Sequence, residues 1–191
     1  MEIKYLGDKV VLLKGKNESV LINPSDDFLS KNKSNSRVIL FTNEDKGRSG
    51  LEGDKVLING AGEYEIGGME INGFDSKDGN TVYKVNVDGF KVTIVGKFLQ
   101  ELNEKIIDRI EETDVLIVSP EESSLNYKVF KSLAKKLGAN YLIPISDDKK
   151  TLDEFLDEAD AEGLEPSVSL KLEKKEDLPE GLEVKLLKVG N

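Results

Sequence analysis

The sequence predicts an α+β fold in which two β-sheets pack together and helices lie outside them. The first half of the chain shows short strand patterns separated by turn residues, whereas the second half alternates strands with longer segments of helical periodicity. The change falls near Gly96. A chain of 191 residues that is 38% hydrophobic can bury a substantial core, so a single domain over residues 1–191 is expected.

The first half is expected to form short strands bounded by Gly, Asn, Asp and Ser. Asp88 and Gly89 join two of them in a hairpin, because this pair supplies the positive φ angles of a tight turn. The expected strands are Glu2–Tyr5, Val10–Leu13, Val20–Ile22, Val38–Phe41, Val56–Ile58, Met69–Ile71, Thr81–Val87 and Phe90–Val95.

The second half is expected to alternate helices with buried strands. Apolar residues recur every four positions from Leu102 to Ile110, which places one apolar stripe on a helix that ends near Asp114. Val115–Val118 is a continuous apolar run, which is typical of a strand buried on both faces. The remaining expected elements are a helix over Leu125–Leu137 stopped by Gly138, a strand at Tyr141–Pro144, a helix over Leu152–Ala159 capped by Thr151 and Glu154, a strand at Val168–Leu172, a charged connection over Glu173–Gly181 and a strand at Val184–Val189.

The composition excludes several classes of protein. The chain has no histidine and no cysteine, so it is neither a His- or Cys-ligated zinc enzyme nor a disulfide-bonded protein. Its 27 Lys and Arg against 37 Asp and Glu give a net charge of -10, which disfavours binding to nucleic acids and anionic membranes. The N-terminus has no secretion signal, and no apolar run reaches the roughly 18 residues of a membrane span, so a cytoplasmic protein is expected.

Several segments carry a resemblance when they are taken in order. Leu21-Ile22-Asn23-Pro24 is similar to an Ile-Asp-Pro motif, and Val38–Thr42 is similar to a strand that leads into a metal-binding motif. Three later segments are similar to segments of the same family, and they are Gly62–Gly68, Thr113–Val118 and Tyr141–Pro144. Together they resemble the metallo-β-lactamase fold family, in particular its small bacterial members of uncharacterised function. The resemblance implies a four-layer αββα sandwich of two mixed sheets with helices outside.

The resemblance also implies that the metal site of the family has been lost. In the family, a His-x-His-x-Asp-His motif follows the strand and holds one or two zinc ions. Here the same stretch reads Asn43-Glu44-Asp45-Lys46-Gly47-Arg48. A further family histidine falls near Asp75, a family aspartate falls on Lys97, and the last family histidine falls on Ser146. The degenerate former metal site is therefore expected at Asn43, Asp45, Gly47, Arg48, Asp75, Lys97 and Ser146.

The cations at this site suggest how the metal was replaced. Lys97 and Arg48 are expected to stand where metal charge stood in the family, close to Asp45 and Asp75, and to close the site as a cluster of ion pairs and hydrogen bonds. The alternative is that these residues are solvated loop groups without mutual contact. The first interpretation predicts a protein without catalysis or cofactor that binds a protein partner or itself, or a small ligand in the remaining cleft.

A second hypothesis retains an enzyme. Asn43, Asp45, Asp75 and Asp147 supply the oxygen ligands that magnesium, manganese and calcium prefer. Such an ion can activate water toward a phosphoester, which would make the protein a metal-dependent hydrolase or phosphodiesterase. The positive charges of Lys97 and Arg48 oppose it. Ser146 and Lys149 can also be drawn as a nucleophile pair, although an exposed loop explains them as well.

Overall fold

The structure is a computed structural model that describes residues 1–32, 34–43, 53–76, 79–97, 101–120 and 127–190, with the backbone alone described for Lys97. Asp45, Gly47, Arg48 and Leu125 lie outside these residues. The strands are β1 Glu2–Tyr5, β2 Val11–Lys14, β3 Ser19–Ile22, β4 Val38–Leu40, β5 Val56–Ile58, β6 Gly62–Ile66, β7 Met69–Asp75, β8 Thr81–Val87, β9 Phe90–Lys97, β10 Val115–Ser119, β11 Tyr141–Pro144, β12 Leu170–Lys171 and β13 Glu183–Val184. The helices are α1 Asp26–Lys31, α2 Glu104–Ile110, α3 Tyr127–Lys136 and α4 Lys149–Glu158.

The strands form two mixed sheets. Counted over the described ranges, sheet 1 has six strands in the order β12-β1-β2-β3-β4-β5, and sheet 2 has seven in the order β13-β11-β10-β9-β8-β7-β6. In sheet 1 the pairs β1/β2 and β2/β3 are antiparallel, whereas β3/β4 and β4/β5 are parallel. In sheet 2 the antiparallel part runs from β6 to β9, and β9/β10, β10/β11 and β11/β13 are parallel.

Side chains that alternate along the central strands divide the core into layers. In β10, Val115 and Ile117 join the large cluster between the two sheets, whereas Leu116 and Val118 join the cluster beneath the helices. A third, smaller cluster lies on the outer face of sheet 1, where Phe28 of α1 packs. The predicted αββα sandwich is confirmed, because both faces of β10 are buried as its continuous apolar sequence indicated.

Some element boundaries differ from the prediction. Helix α4 begins at Lys149 and not at Leu152, because Asp148 is its N-cap and accepts a hydrogen bond from the Thr151 backbone N–H at 2.8 Å. The prediction of Thr151 as the cap was wrong. The sequence did not predict α1, which Ser25 caps, or β6, whose hairpin with β7 turns at Gly67 and Gly68.

The closing strands are shorter than predicted. Only Leu170–Lys171 and Glu183–Val184 form ladders, while Leu187 and Val189 make isolated bridges to Ser167 and Tyr5. The connection between them includes a short 3-10 turn at Lys175–Asp177. Among the described residues, no helix is long and apolar enough to cross a bilayer.

Candidate functional site

The candidate site lies where the carboxyl ends of the parallel strands of both sheets meet. In sheet 1, Asn23 directly follows β3 and Thr42 lies shortly after β4. In sheet 2, the end of β9 lies at the same edge. The backbone N–H of Thr81, at the start of β8, donates to the Thr42 carbonyl at 2.8 Å, so the two sheets are hydrogen-bonded to each other here. We call this region the carboxyl edge.

Asn23 and Thr42 form the buried centre of the carboxyl edge. The Thr42 backbone N–H donates to Asn23 Oδ1 at 2.8 Å, and Asn23 Nδ2 donates to Thr42 Oγ1 at 2.9 Å. Asn23 adopts a φ of 55°, a left-handed conformation that Asn tolerates better than most residues. An amide therefore stands at the position of the aspartate in the Ile-Asp-Pro motif. The uncharged Asn23 side chain accepts from the Thr42 N–H and donates to the Thr42 hydroxyl oxygen.

Asn43 meets the end of β7 through Asn80. Asn43 forms an isolated antiparallel bridge with Asn80, and the Asn80 carbonyl accepts from the Ser76 backbone N–H at 2.8 Å. Ser76 directly follows Asp75, the exposed last residue of β7. Asn43 and the neighbourhood of Asp75 are thus brought together. Asn80 is 6% exposed, and within the described part of the chain its Oδ1 has no hydrogen-bond partner.

Tyr5 and Asp147 close a second part of the carboxyl edge. The Tyr5 hydroxyl donates a short hydrogen bond to Asp147 Oδ1, which ties the end of β1 to the loop between β11 and α4. Burial, together with the hydrogen bond and the negative charge of Asp147, raises the pKa of the Tyr5 hydroxyl above its usual range. The Asp147 carboxylate is therefore hydrogen-bonded to a neutral hydroxyl group.

Ser146 turns back on its own loop. Its Oγ accepts from the Asp148 backbone N–H at 3.2 Å and lies 3.3 Å from the Asp148 carbonyl, to which it donates. Local bonds of this kind are typical of a serine that shapes a turn before a helix. This geometry gives Ser146 a local role in the turn before α4, whereas Lys149, which was predicted to lie in an exposed loop, is the first residue of that helix.

The predicted cationic cluster is described only in part. Lys97 ends β9 at the carboxyl edge, where its backbone pairs with Ser119. Arg48, Asp45 and Gly47 lie outside the described residues, so the ion-pair cluster stays a prediction.

The residues present do not fit zinc. Zinc in proteins is held mainly by imidazole and thiolate, and the full chain contains neither. Asn43, Asp75 and Ser146 offer only oxygen donors, and among the described residues no three Asp or Glu side chains come together closely enough to hold a metal. No histidine is therefore available at this site as a metal ligand or as a general base.

The family follows from the sequence and the fold together. Residues 2–146 match the β-lactamase superfamily domain. The chain therefore belongs to the metallo-β-lactamase superfamily, and its two-sheet architecture is that of this class. No curated protein matches the chain.

Solved structures share the fold. One, from Thermotoga maritima, is named as a Zn-dependent hydrolase of the metallo-β-lactamase superfamily; it is 22% identical, with a TM-score of 0.78 and 98% of each chain covered. The metallo-β-lactamase fold protein YhfI from Bacillus subtilis is 12% identical, with a TM-score of 0.61 over 100% of this chain and 98% of that one. A diphosphatase of the PhnP family is 13% identical, with a TM-score of 0.56 over 86% of this chain and 84% of that one.

Sequence reasoning named Asp147 as an oxygen ligand, but it missed Tyr5, Asn80 and Thr81 and the contacts that build the carboxyl edge. Tyr5 and Asp147 are 142 positions apart, and Thr42 and Thr81 are joined through backbone atoms, so no local pattern indicates either contact. Asn80 lay in a turn that carried no motif. The signals that pointed to this region were the Asn23-Pro24 pair and the stretch from Val38 to Asn43.

Proposed function

We propose that this protein is a non-catalytic member of the metallo-β-lactamase superfamily that acts by binding or scaffolding, through a protein partner or by self-association. The observation that carries the proposal is the chemistry of the carboxyl edge. Amide, hydroxyl and backbone groups bond to one another there, and the chain has no histidine to take their place.

The hydrogen bonds at this edge support a fold that is held together without a metal. Asn23, Thr42 and Thr81 join β3, β4 and β8 by direct contacts that are buried from water. Buried polar groups that are fully paired stabilise a unique arrangement. Lys97 and Arg48 are proposed to add positive charge near Asp45 and Asp75, which would both replace the metal charge and repel a cation.

One observation favours the second candidate, an oxygen-ligand hydrolase. The buried Asn80 Oδ1 lacks a partner within the described residues, and it belongs to the group that joins Asn43 to the end of β7. A buried carbonyl oxygen without a donor is an acceptor for a water molecule or for a hard cation such as magnesium. This candidate would make the protein a divalent-metal-dependent hydrolase or phosphodiesterase that uses Asn43, Asp45 and Asp75.

Metal analysis of protein purified without chelator or affinity tag separates the two candidates. We expect magnesium, manganese, calcium and zinc to be present well below one ion per chain. We also expect no protein-dependent hydrolysis of bis(p-nitrophenyl) phosphate in manganese or magnesium buffer. A chelator-sensitive rate that Asp75→Asn removes, and that the matched control Glu70→Gln on the same strand retains, would establish the hydrolase.

The binding role needs its own test. Crosslinking in the native host, followed by isolation of the protein, is expected to yield one reproducible complex or a homo-oligomer. An exclusively monomeric protein with no crosslinked partner would contradict a scaffolding role.

A further inference from the structure

The outer face of sheet 1 carries an apolar row, and within the described ranges of the chain one short helix partly covers it. Leu12, Leu21, Ile39 and Leu57 lie side by side across β2, β3, β4 and β5 in the strand register. The outward face of a sheet is usually polar unless something packs on it. Phe28 of α1 packs with Leu21 and Ile39, whereas Leu12 remains half-buried.

A groove of about 430 Å³ remains beside α1. We call it the outer groove. Its apolar walls are Leu6, Leu12, Leu21, Phe28 and Val189, and Val189 is 58% exposed. The volume falls within the range of sites that hold small molecules. The outer groove lies on the opposite face of sheet 1 from the core between the sheets, so it is separate from that core.

One wall of the outer groove is polar and held in place. It is formed by Ser34–Ser36, and the Lys55 ammonium donates to the carbonyls of Ser34 at 2.8 Å and of Ser36 at 2.7 Å. Ser19 Oγ donates to Ser36 Oγ at 2.9 Å. A wall fixed before a ligand arrives loses little conformational entropy on binding.

Among the residues that the structure describes, Lys14 is the one charged residue that lines the outer groove. Lys14 lies two residues after Leu12 on β2, so both project from the same face of the sheet. No described residue forms an ion pair or a hydrogen bond with its ammonium, although the chain as a whole carries a net charge of -10. A cation next to an apolar floor complements a ligand with a negative head and an apolar body.

We propose that the outer groove binds a small amphiphilic carboxylate. The carboxylate lies at the Lys14 ammonium, and the apolar body lies against Leu12, Leu21 and Val189. The polar wall at Ser34–Ser36 faces the head of the ligand and supplies hydrogen-bonding groups. This site is independent of the carboxyl edge, so it stands whether or not the protein is catalytic.

Titration with sodium octanoate tests the site, with backbone amide NMR shifts as the measurement. We expect saturable shifts confined to residues around Leu6, Leu12, Leu21 and Val189. Lys14→Gln is expected to weaken binding by about fivefold, which is the scale of one exposed ion pair. Val189→Ala should weaken it as well, and because Val189 is exposed this variant should fold normally. Lys128→Gln, on the exposed face of α3, is the matched control and should bind as the wild type does.

Three outcomes would overturn the proposal. If octanamide binds as tightly as octanoate, the groove does not recognise a carboxylate. If butanoate produces the same shifts with the same affinity, charge alone explains them and the apolar walls take no part. If sedimentation shows a dimer that Val189→Ala dissociates, a second copy of the chain occupies the groove instead of a small molecule.

Discussion

The Gly96 backbone lies directly against the Thr42 side chain, so that a methyl group on Gly96 would stand 2.2 Å from Thr42 Oγ1 and 2.6 Å from Thr42 Cβ. This contact joins the end of β9 in sheet 2 to the residues after β4 in sheet 1. Thr42 cannot withdraw, because its backbone and hydroxyl are bonded to Asn23 and its carbonyl to Thr81. The two sheets therefore approach each other at this edge as closely as a glycine allows.

Gly96→Ala is expected to destabilise the protein by about 1–3 kcal/mol, because the added methyl group overpacks a buried contact. Urea unfolding followed by circular dichroism measures the loss. Gly181→Ala is the matched control, since nothing lies within 4 Å of a methyl group there. Equal stability of the two variants would show that the edge adapts to the methyl group.

Asn23→Gly is expected to cost about 1–3 kcal/mol, because the buried Thr42 N–H loses its acceptor. Asn23→Ala should cost about 1 kcal/mol more, because alanine is strained at a φ of 55° whereas glycine is not. The free energies of unfolding of both variants separate the side-chain and backbone contributions. Identical values would mean that the backbone conformation costs nothing.

Thr93→Val is expected to destabilise the protein by about 1–3 kcal/mol. The Thr93 and Thr113 hydroxyls bond to each other in the core, so removing one leaves the other buried without a partner. The double variant Thr93→Val with Thr113→Val should recover most of the loss, because neither hydroxyl remains. A double-mutant cycle of unfolding free energies measures this coupling, and strict additivity would refute it.

Tyr5→Phe is expected to release the loop that carries Ser146, because it removes the hydrogen bond to Asp147. Amide hydrogen exchange in the loop between β11 and α4 should become faster, with a loss of about 1–2 kcal/mol in unfolding free energy. Tyr141→Phe is the control, since no described group forms a hydrogen bond with the Tyr141 hydroxyl. Unchanged exchange in Tyr5→Phe would show that the loop is held by other contacts.

Stability is expected to fall in alkaline solution because of Tyr83. Burial raises the pKa of Tyr83 to about 12 from 10.0, so between these values the unfolded chain loses a proton that the folded protein keeps. The contribution is complete below pH 10 and is lost as pH rises toward 12, with a slope of up to about 1.4 kcal/mol per pH unit. Tyr83→Phe should reduce the slope of unfolding free energy against pH in this window. A slope that this substitution leaves unchanged would assign the effect to other groups.

Local sequence patterns were sufficient for most of the sheet framework. Strands β1, β5, β8 and β11 have the predicted bounds in the structure. The pattern that indicates a buried strand, an alternation or a run of apolar residues, lies within a few neighbouring residues. Helix α1 was missed because six residues hold little periodicity. The start of α4 was wrong because two residues, Asp148 and Thr151, both suit a cap, and only the hydrogen bond distinguishes them.

The sequence by itself determined which chemistry is unavailable: a chain without histidine or cysteine has no imidazole or thiolate to offer a metal, whatever its fold. Through the resemblance to the family it also predicted a degenerate metal site that includes Asn43 and Asp75. Only the tertiary structure decided what occupies the carboxyl edge, because the contacts of Asn23 with Thr42, of Thr42 with Gly96 and of Tyr5 with Asp147 join residues far apart in the chain. Such contacts depend on how two sheets pack, and no spacing within one segment encodes that geometry.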